Sequence, residues 1–243
     1  MNIAVIFAGG VGSRMNTKDR PKQFLLVHGK PIIVHTIELF EHHNEIDGII
    51  VVCVEDWIDY MEEMKYRFRL DKIGRIVKGG ETGQMSIYNG LKTAEEIYGT
   101  DDNIVLIHDG VRPLITEKLI SDNIRCVREH GSAITCSPAK ETVALVDGEN
   151  GIDEIVPRNR SRIAKAPQSF YLKDIIQAQE KSIADGHRDM IDSCTLMRYY
   201  GNKLYAVEGS SENIKITTPD DFYTFRAIYD ARENEQLNGM NNK

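Results

Sequence analysis

Short apolar runs alternate with longer segments of helical periodicity through the first half of the chain. The runs of strand length lie at residues 2–7, 49–54, 75–77, 103–107 and 133–136. The segments at residues 31–43, 55–68, 85–98 and 117–130 place apolar side chains at three- and four-residue intervals, as amphipathic helices do. Strands that alternate with helices of this length form a parallel sheet with right-handed crossovers. The pattern therefore predicts an α/β fold, a mostly parallel sheet with helices on both faces.

The second half of the chain has a different pattern. Residues 138–162 are rich in charges and turn residues, and Asp147-Gly148 predicts a hairpin between strands at 142–146 and 152–156. Because a two-stranded hairpin is barely stable alone, this arm is expected to pack on a second subunit; a flexible surface excursion is the alternative. Residues 164–170 return to the body, and helices are predicted at 172–184, 189–200 and 220–232, with strands at 203–207 and 212–217. The chain is expected to form a single domain over residues 1–232, followed by a polar, frayed tail at 233–243.

Charge and composition narrow the function classes. The 243 residues carry a net charge of −7, which argues against a general nucleic-acid binder. The four cysteines form no Cys-x-x-Cys pair, which favours reduced thiols in a cytoplasmic protein and argues against a zinc site. No signal peptide opens the sequence, and no apolar run approaches the ~18 residues of a membrane span, so no membrane partner is expected.

A glycine loop follows the first strand. Gly9, Gly10 and Gly12 lead to Arg14, and Lys22 follows. Backbone N–H groups of such a loop can approach a phosphate closely, and the two cations would neutralise a polyphosphate. The spacing matches neither Gly-x-Gly-x-x-Gly nor the P-loop, so an ordinary strand-to-helix turn remains an alternative.

Two further loops are predicted to lie beside this one. Lys78-Gly79-Gly80 follows the third strand, and His108-Asp109 ends the fourth. Ligands of parallel sheets bind beyond the carboxyl ends of the strands, where all three loops emerge. The sequence therefore predicts a nucleotide site at this edge.

The chain resembles the cytidylyltransferases that join CTP to a phosphorylated polyol, in both the ribitol-5-phosphate and the 2-C-methyl-D-erythritol 4-phosphate branches. The resemblance covers residues 4 to about 225. It is carried by Ala8-Gly9-Gly10-Val11-Gly12-Ser13-Arg14-Met15, Pro21-Lys22-Gln23, Gly79-Gly80, Ser86, His108-Asp109-Gly110-Val111-Arg112-Pro113, Ala166-Pro167-Gln168-Ser169-Phe170, Asp192 and Glu212-Asn213-Ile214-Lys215-Ile216-Thr217. It implies a Rossmann-like sheet of the nucleotide-diphospho-sugar transferase type.

The resemblance also implies roles for individual residues. Arg14 and Lys22 would flank the triphosphate, and Lys215 would contact the α-phosphate. Mg²⁺ is expected as cofactor, with Asp109 as first candidate ligand and Glu212 as second, although the family usually has Asp at the latter position. The nucleotide would be bound by Ala8, Gly9, Gly10, Gly12, Gly80, Glu81, Ser86 and Asp109. A helix-capping Asp109 and solvated lysines at 22 and 215 remain the alternatives, and His108 is interpreted as structural.

The acceptor residues are expected on the arm. Thr142 and Arg158 match the positions that hold the acceptor phosphate in the family, where the arm crosses to the partner subunit of a homodimer, and Asp109 is expected to assist. Arg160 and Arg162 remain alternatives to Arg158.

Small differences between the branches favour one acceptor. Val111 and the run Ile191-Asp192-Ser193-Cys194 are closer to the ribitol branch, which indicates D-ribitol 5-phosphate as acceptor and CDP-ribitol as product. Methylerythritol phosphate is the alternative acceptor. Gly83 stands where family members often carry Arg, which leaves that contact undefined. Two other classes remain open: a dinucleotide-dependent oxidoreductase with Glu55 on the ribose, and a catalytically silent binding module.

Overall fold

One seven-stranded sheet organises the chain. The structure is a computed structural model, and it describes residues 1–8 and 20–240. The strands are β1 (Asn2–Ala8), β2 (Leu26–Val27), β3 (Lys30–Pro31), β4 (Gly48–Cys53), β5 (Ile73–Lys78), β6 (Ile104–Asp109), β7 (Ser132–Pro138), β8 (Val143–Val146), β9 (Ile152–Val156), β10 (Arg162–Tyr171) and β11 (Ala206–Glu208). The helices are α1 (Ile32–Glu41), α2 (Ile58–Arg67), α3 (Gly83–Tyr98), α4 (Glu117–His130), α5 (Leu172–Ala184), α6 (Ser193–Tyr199) and α7 (Pro219–Met240).

The sheet is mostly parallel. Its strand order is β11-β7-β10-β6-β1-β4-β5, while β2–β3 and β8–β9 form separate two-stranded ribbons. Every neighbouring pair in the large sheet is parallel except those of β10, which runs antiparallel to both β6 and β7. The predicted α/β class is therefore confirmed.

Helices cover both faces of the sheet, because successive residues of a buried strand point to opposite sides. Ala4 and Ile6 of β1 pack in a cluster with residues of α1, α2 and α4. Ile3 and Val5 pack in a second cluster with residues of α3, α5 and α6. A third cluster, which includes Phe225 of α7, lies against the loop after β6 and the segment at residues 211–216. This last cluster brings the C-terminal helix beside the strand ends where a site is predicted.

The C-terminal half differs in detail from the predicted elements. Residues 164–170 belong to the ten-residue strand β10. Its proline, lysine and polar residues interrupt the alternation of apolar and polar positions that is typical of a strand. The segment is nevertheless a strand, because it pairs with both β6 and β7. The predicted strand at 212–217 is absent, because the one backbone–backbone hydrogen bond that joins this segment to another element of the described chain runs from Ile216 N to Val111 O, and no ladder forms.

Helix boundaries also move. The helix predicted at 189–200 begins at Ser193, because Asp192 caps it by accepting from Thr195 N at 2.8 Å. Thr218 caps α7, since its Oγ1 accepts from Asp221 N. However, α7 continues to Met240 instead of ending at Arg232, because residues 233–240 hold no proline and extending an existing helix is cheap.

The arm at residues 138–162 forms where it was predicted. β8 and β9 pair antiparallel, and Asp147 Oδ1 accepts from the amides of Glu149 and Gly151 to close the turn. No helix within the described residues is long and apolar enough to cross a membrane. All four cysteines are free thiols.

Candidate active site

A buried carboxylate held between two cations marks the carboxyl ends of the central strands. Asp109 ends β6 beside Phe7 of β1. Its Oδ1 lies 2.6 Å from Lys215 Nζ and its Oδ2 lies 2.6 Å from Arg112 Nε. Burial raises the pKa of Asp109, but the charges and hydrogen bonds of Lys215 and Arg112 outweigh it and hold the pKa at about 2. Asp109 is therefore ionised at neutral pH and forms an ion pair with each of the two cations.

The loop after β6 is fixed on both sides. Gly110 N donates to Phe7 O at 3.0 Å, and a Cβ on Gly110 would lie only 3.1 Å from that of Ala8, so β1 and this loop approach closely. Arg112 spans the site, because its Nη1 also donates to Asn213 O at 3.0 Å. The loop and the segment at 211–216 are thus bound to each other around Asp109.

His108, in contrast, faces the interior. It is fully buried, and its Nε2 lies 3.1 Å from Arg112 O. Burial lowers the pKa of His108 to about 4, so the ring is neutral at neutral pH. The interpretation of His108 as a structural residue, not a base, agrees with this placement.

The second glycine loop closes on the start of α3. Ser86 Oγ accepts from Gly80 N at 3.0 Å and donates to Thr82 O at 2.9 Å. A Cβ on Gly80 would lie 2.5 Å from that of Met85, so only glycine fits this turn. Glu81 is exposed beside it. Gly83 has open space where a Cβ would stand, so its lack of a side chain has no steric cause.

The first glycine loop lies outside the described residues, and with it Gly9, Gly10, Gly12 and Arg14. Its two flanks are described. Ala8 ends β1, and Ala8 O accepts from Gln23 Nε2 at 2.7 Å. Lys22 begins the short 3-10 turn that contains Gln23. Gln23 belongs to the motif Pro21-Lys22-Gln23, and the structure gives it a role that the sequence did not predict: it binds the end of β1.

The arm brings together the two residues expected to bind the acceptor. Arg158 Nη2 donates to Thr142 Oγ1 at 2.9 Å, and both residues are exposed. Arg162 instead donates to the backbone carbonyls of Asn159 and Ser161. Neither Thr142 nor Arg158 forms a hydrogen bond or ion pair with Asp109 or Lys215 within the described part of this chain. Of the arm's arginines, Arg158 is the one that contacts Thr142.

The two candidate metal ligands differ in their surroundings. Glu212 Oε2 lies 2.7 Å from Arg232 Nη2, a contact that joins the segment to α7. Asp109 has a cation on each oxygen, yet each oxygen keeps a lone pair. Mg²⁺ commonly uses one or two carboxylates and completes its shell with phosphate oxygens and water, so Asp109 fits such an ion. Among the side chains that the structure describes, those of residues 1–8 and 20–234, the one cluster of three metal-capable groups consists of exposed His28, half-buried Asp230 and exposed Glu233.

Residues outside the predicted set also build the site. Arg112 and Asn213 belong to motifs of the resemblance but had no predicted role, and Lys165 was not among the predicted residues. Lys165 Nζ donates to Ser211 O and Asn213 O, and Asn213 Nδ2 donates to Ala166 O at 2.7 Å. Lys165 and Asn213 bind backbone carbonyls of distant residues, and no local sequence pattern predicts such contacts.

Comparison with known proteins places this arrangement in a family. A sequence model described as IspD, 2-C-methyl-D-erythritol 4-phosphate cytidylyltransferase, matches residues 2–231. A protein of Streptococcus agalactiae serotype III (strain NEM316), named ribitol-5-phosphate cytidylyltransferase, is 62% identical over 240 residues, which are 99% of this chain and 100% of the relative. A protein of the same name from Vibrio parahaemolyticus is 51% identical over 239 residues, 98% of this chain and 100% of the relative.

Solved structures show the same fold. The 4-diphosphocytidyl-2C-methyl-D-erythritol synthase of Anaerococcus prevotii DSM 20548 superposes with a TM-score of 0.81 at 30% identity, covering 94% of this chain and 96% of the other. The match of the family model and the full-length relatives extend across β1, the loop after β6, the arm and the segment at 211–216. The chain belongs to the IspD family of cytidylyltransferases.

Proposed function

We propose that this protein transfers a cytidylyl group from CTP to D-ribitol 5-phosphate, giving CDP-ribitol and pyrophosphate. The observation that carries the choice of acceptor is the 62% full-length identity to a protein named for that substrate. The branch-specific residues Val111 and Asp192-Ser193-Cys194 support the same acceptor.

The reaction is an in-line substitution at phosphorus. A phosphate oxygen of the acceptor attacks the α-phosphorus of CTP, a new P–O bond forms, and the bond to the β-phosphate oxygen breaks, so that pyrophosphate leaves. No covalent enzyme intermediate is required, and the catalyst must position two anions and neutralise the charge that develops between them.

Lys215 suits the developing charge at the α-phosphate. Its ammonium rests on Asp109, yet its side chain is 42% exposed and therefore open to a ligand. Asp109 holds the ammonium close to the strand end, and Arg112 holds Asp109 from the other side. Arg14 and Lys22 would flank the β- and γ-phosphates. Mg²⁺, held by Asp109 with Glu212 as second candidate, would supply further charge neutralisation.

The nucleoside would occupy the space between β1 and the turn before α3. Backbone groups of Ala8, Gly9 and Gly80 would read the cytosine, with Ser86 fixing the turn and Glu81 at its rim. Ser86 Oγ accepts from Gly80 N and donates to Thr82 O, and these bonds support this role because they give the turn one conformation before the ligand arrives.

The acceptor phosphate would be bound by Arg158 and Thr142 of the partner subunit in a homodimer. An exposed arginine beside a hydroxyl is suited to bidentate phosphate binding. The arm also exposes a set of apolar side chains that a partner would cover, namely Leu145, Val146, Ile152 and Ile155. We place the reaction in the cytoplasm, in keeping with the free thiols and the use of CTP.

Methylerythritol phosphate is the second candidate acceptor, because the family model and the structural neighbour carry its name. The deciding experiment measures pyrophosphate release with CTP, Mg²⁺ and each polyol phosphate in parallel. We expect turnover with ribitol 5-phosphate and a kcat/KM at least ten-fold lower with methylerythritol phosphate. The reverse preference would overturn the acceptor, and no release with either would overturn the enzymatic proposal.

A further inference from the structure

Lys165 is a half-buried lysine whose ammonium faces backbone carbonyls and no carboxylate. Its Nζ donates to Ser211 O at 3.1 Å and to Asn213 O at 3.0 Å. It forms no ion pair with any side chain of residues 1–8 and 20–234, the side chains that the structure describes. Burial, with the charges of Arg112 and Lys140, lowers the pKa of Lys165. Ordering a long side chain and desolvating its charge both oppose folding, so the two contacts that hold it here point to a specific purpose.

Those contacts fall on the segment that carries Lys215. Residues 210–217 contain neither helix nor strand, so no ladder fixes their path. Instead, Asn213 O accepts from both Lys165 and Arg112, Asn213 Nδ2 donates to Ala166 O, and Ile216 N donates to Val111 O. Lys215 lies between these anchors. Its position therefore depends on side chains supplied by β10 and by the loop after β6.

We propose that Lys165 is a positioning residue for Lys215: it binds the carbonyls of Ser211 and Asn213 and so fixes the segment from which Lys215 reaches Asp109 and the α-phosphate. This rests on the proposed function for the reaction that Lys215 serves. A displacement of about 1 Å at a group that stabilises a transition state can cost 10²-fold in rate. Anchors of this segment thus belong to the determinants of kcat.

Steady-state kinetics of three lysine variants test the proposal. Lys165→Met keeps the aliphatic stem and removes the donors, whereas Lys165→Arg keeps charge and donors. We expect Lys165→Met to lower kcat about 10- to 100-fold with a smaller change in the KM of CTP, and Lys165→Arg to restore most of the rate. Lys173, exposed on α5, provides the matched control, and Lys173→Met should keep wild-type kinetics.

The variant Lys140→Met distinguishes the loss of the Lys165 hydrogen bonds from the mere loss of a positive charge near the site. The charge of Lys140 acts on Lys165, but its own ammonium makes no hydrogen bond or ion pair in the described part of the chain. If Lys140→Met lowers kcat as much as Lys165→Met, the shared charge explains the loss and the positioning role is wrong. A wild-type kcat in Lys165→Met would also overturn it.

Hydrogen exchange tests the same inference without turnover. Amides of residues 211–216 should exchange at least ten-fold faster in Lys165→Met than in the wild type, while residues 73–78 of β5 should be unchanged. If the wild type releases no pyrophosphate with any polyol phosphate, the proposed function fails. The hydrogen-exchange measurement still tests whether Lys165 fixes the segment at 211–216. Equal exchange at 211–216 in both proteins would overturn the inference.

Discussion

Lys215 Nζ lies 2.6 Å from Asp109 Oδ1, and the pair is asymmetric in exposure: the carboxylate is buried, whereas the lysine side chain is 42% exposed. The acid therefore belongs to the framework, and the cation is the member that a phosphate can reach. The same carboxylate binds Arg112, so the buried charge of Asp109 holds two cations, Arg112 and Lys215, in place.

Removal of the carboxylate should disable the site. In Asp109→Asn, Arg112 and Lys215 lose their common anion and Mg²⁺ loses its first candidate ligand, so we expect kcat to fall by about 10²- to 10³-fold. Breaking a buried ion pair from one side should also lower the free energy of unfolding by about 3–5 kcal/mol. Pyrophosphate release and urea unfolding measure the two effects.

Asp122→Asn is the matched control, because Asp122 also pairs with two cations, Lys118 and Arg125, but on α4. It should keep wild-type activity. Wild-type activity in folded Asp109→Asn would exclude Asp109 from the mechanism.

The acceptor phosphate should be bound by Arg158 and Thr142 jointly. We expect Arg158→Ala to raise the KM of the acceptor at least ten-fold and that of CTP much less. Because the two side chains are hydrogen-bonded, Arg158→Ala and Thr142→Val should be non-additive by about 0.5–3 kcal/mol in a double-mutant cycle.

Arg160→Ala is the control for this pair. Arg160 lies in the same 3-10 turn, and its side chain forms no hydrogen bond or ion pair among the residues described. An acceptor KM that rises with Arg160→Ala and not with Arg158→Ala would transfer the role to Arg160.

Association through the arm should depend on its apolar side chains. Ile152 and Ile155 are 68% and 55% exposed, so aspartate at both positions should leave the folded chain intact and prevent dimer formation. We expect monomer mass in sedimentation, lost turnover and retained CTP binding. Tyr66, 88% exposed on α2, supplies the control Tyr66→Ser. A dimer that survives the double substitution would show that the arm is not the interface.

Glu212 offers a direct test of the metal assignment. Because its carboxylate binds Arg232, Glu212→Gln should weaken the contact to α7 by about 0.2–1 kcal/mol and leave the Mg²⁺ concentration for half-maximal rate unchanged. The titration of activity with Mg²⁺ measures this. A several-fold rise in that concentration would assign Glu212 to the metal together with Asp109.

The stability of the fold should fall in mild acid because of His108. Its folded pKa of about 4 lies below the unfolded value of 6.5, so the unfolded chain takes up the proton first. The contribution of His108 is present above pH 6.5 and is lost as the pH falls from 6.5 towards 4, by about 2 kcal/mol between pH 7 and pH 5.

Urea unfolding at several pH values measures this loss. His35, whose pKa burial also lowers, contributes with the same sign, so the comparison is with His108→Gln, in which the slope should be shallower. Equal slopes in both proteins would mean that His108 does not stay neutral in the fold.

The parts of the site that lie at the ends of apolar strands could be predicted from the sequence. Asp109 ends an apolar run, so its place at a strand's carboxyl end follows from pattern alone, as does the glycine turn at Gly80. Arg112 contacts Asp109 through a tight turn of four residues, and hydrophobic periodicity carries no information on such a contact.

Long-range polar anchors were not predictable. Lys165 and Asn213 meet only because β10 lies between β6 and β7, and β10 itself was hidden by its polar positions. Gln168 and Ser169, for example, are buried in β10 and satisfied by Asp192 and Asn123, partners that folding brings together from other elements. Polar strand residues of this kind look like surface positions in a sequence.

The placement of β10 next to β7 has an evolutionary consequence. The chain leaves the sheet at Pro138 and re-enters it at Arg162, and these two residues are paired neighbours. Everything between them can lengthen, shorten or change sequence while the strand order and the nucleotide-binding edge stay the same. Under the roles proposed for the arm, acceptor binding and subunit pairing can therefore diversify on one module while the residues at the nucleotide-binding edge are inherited unchanged.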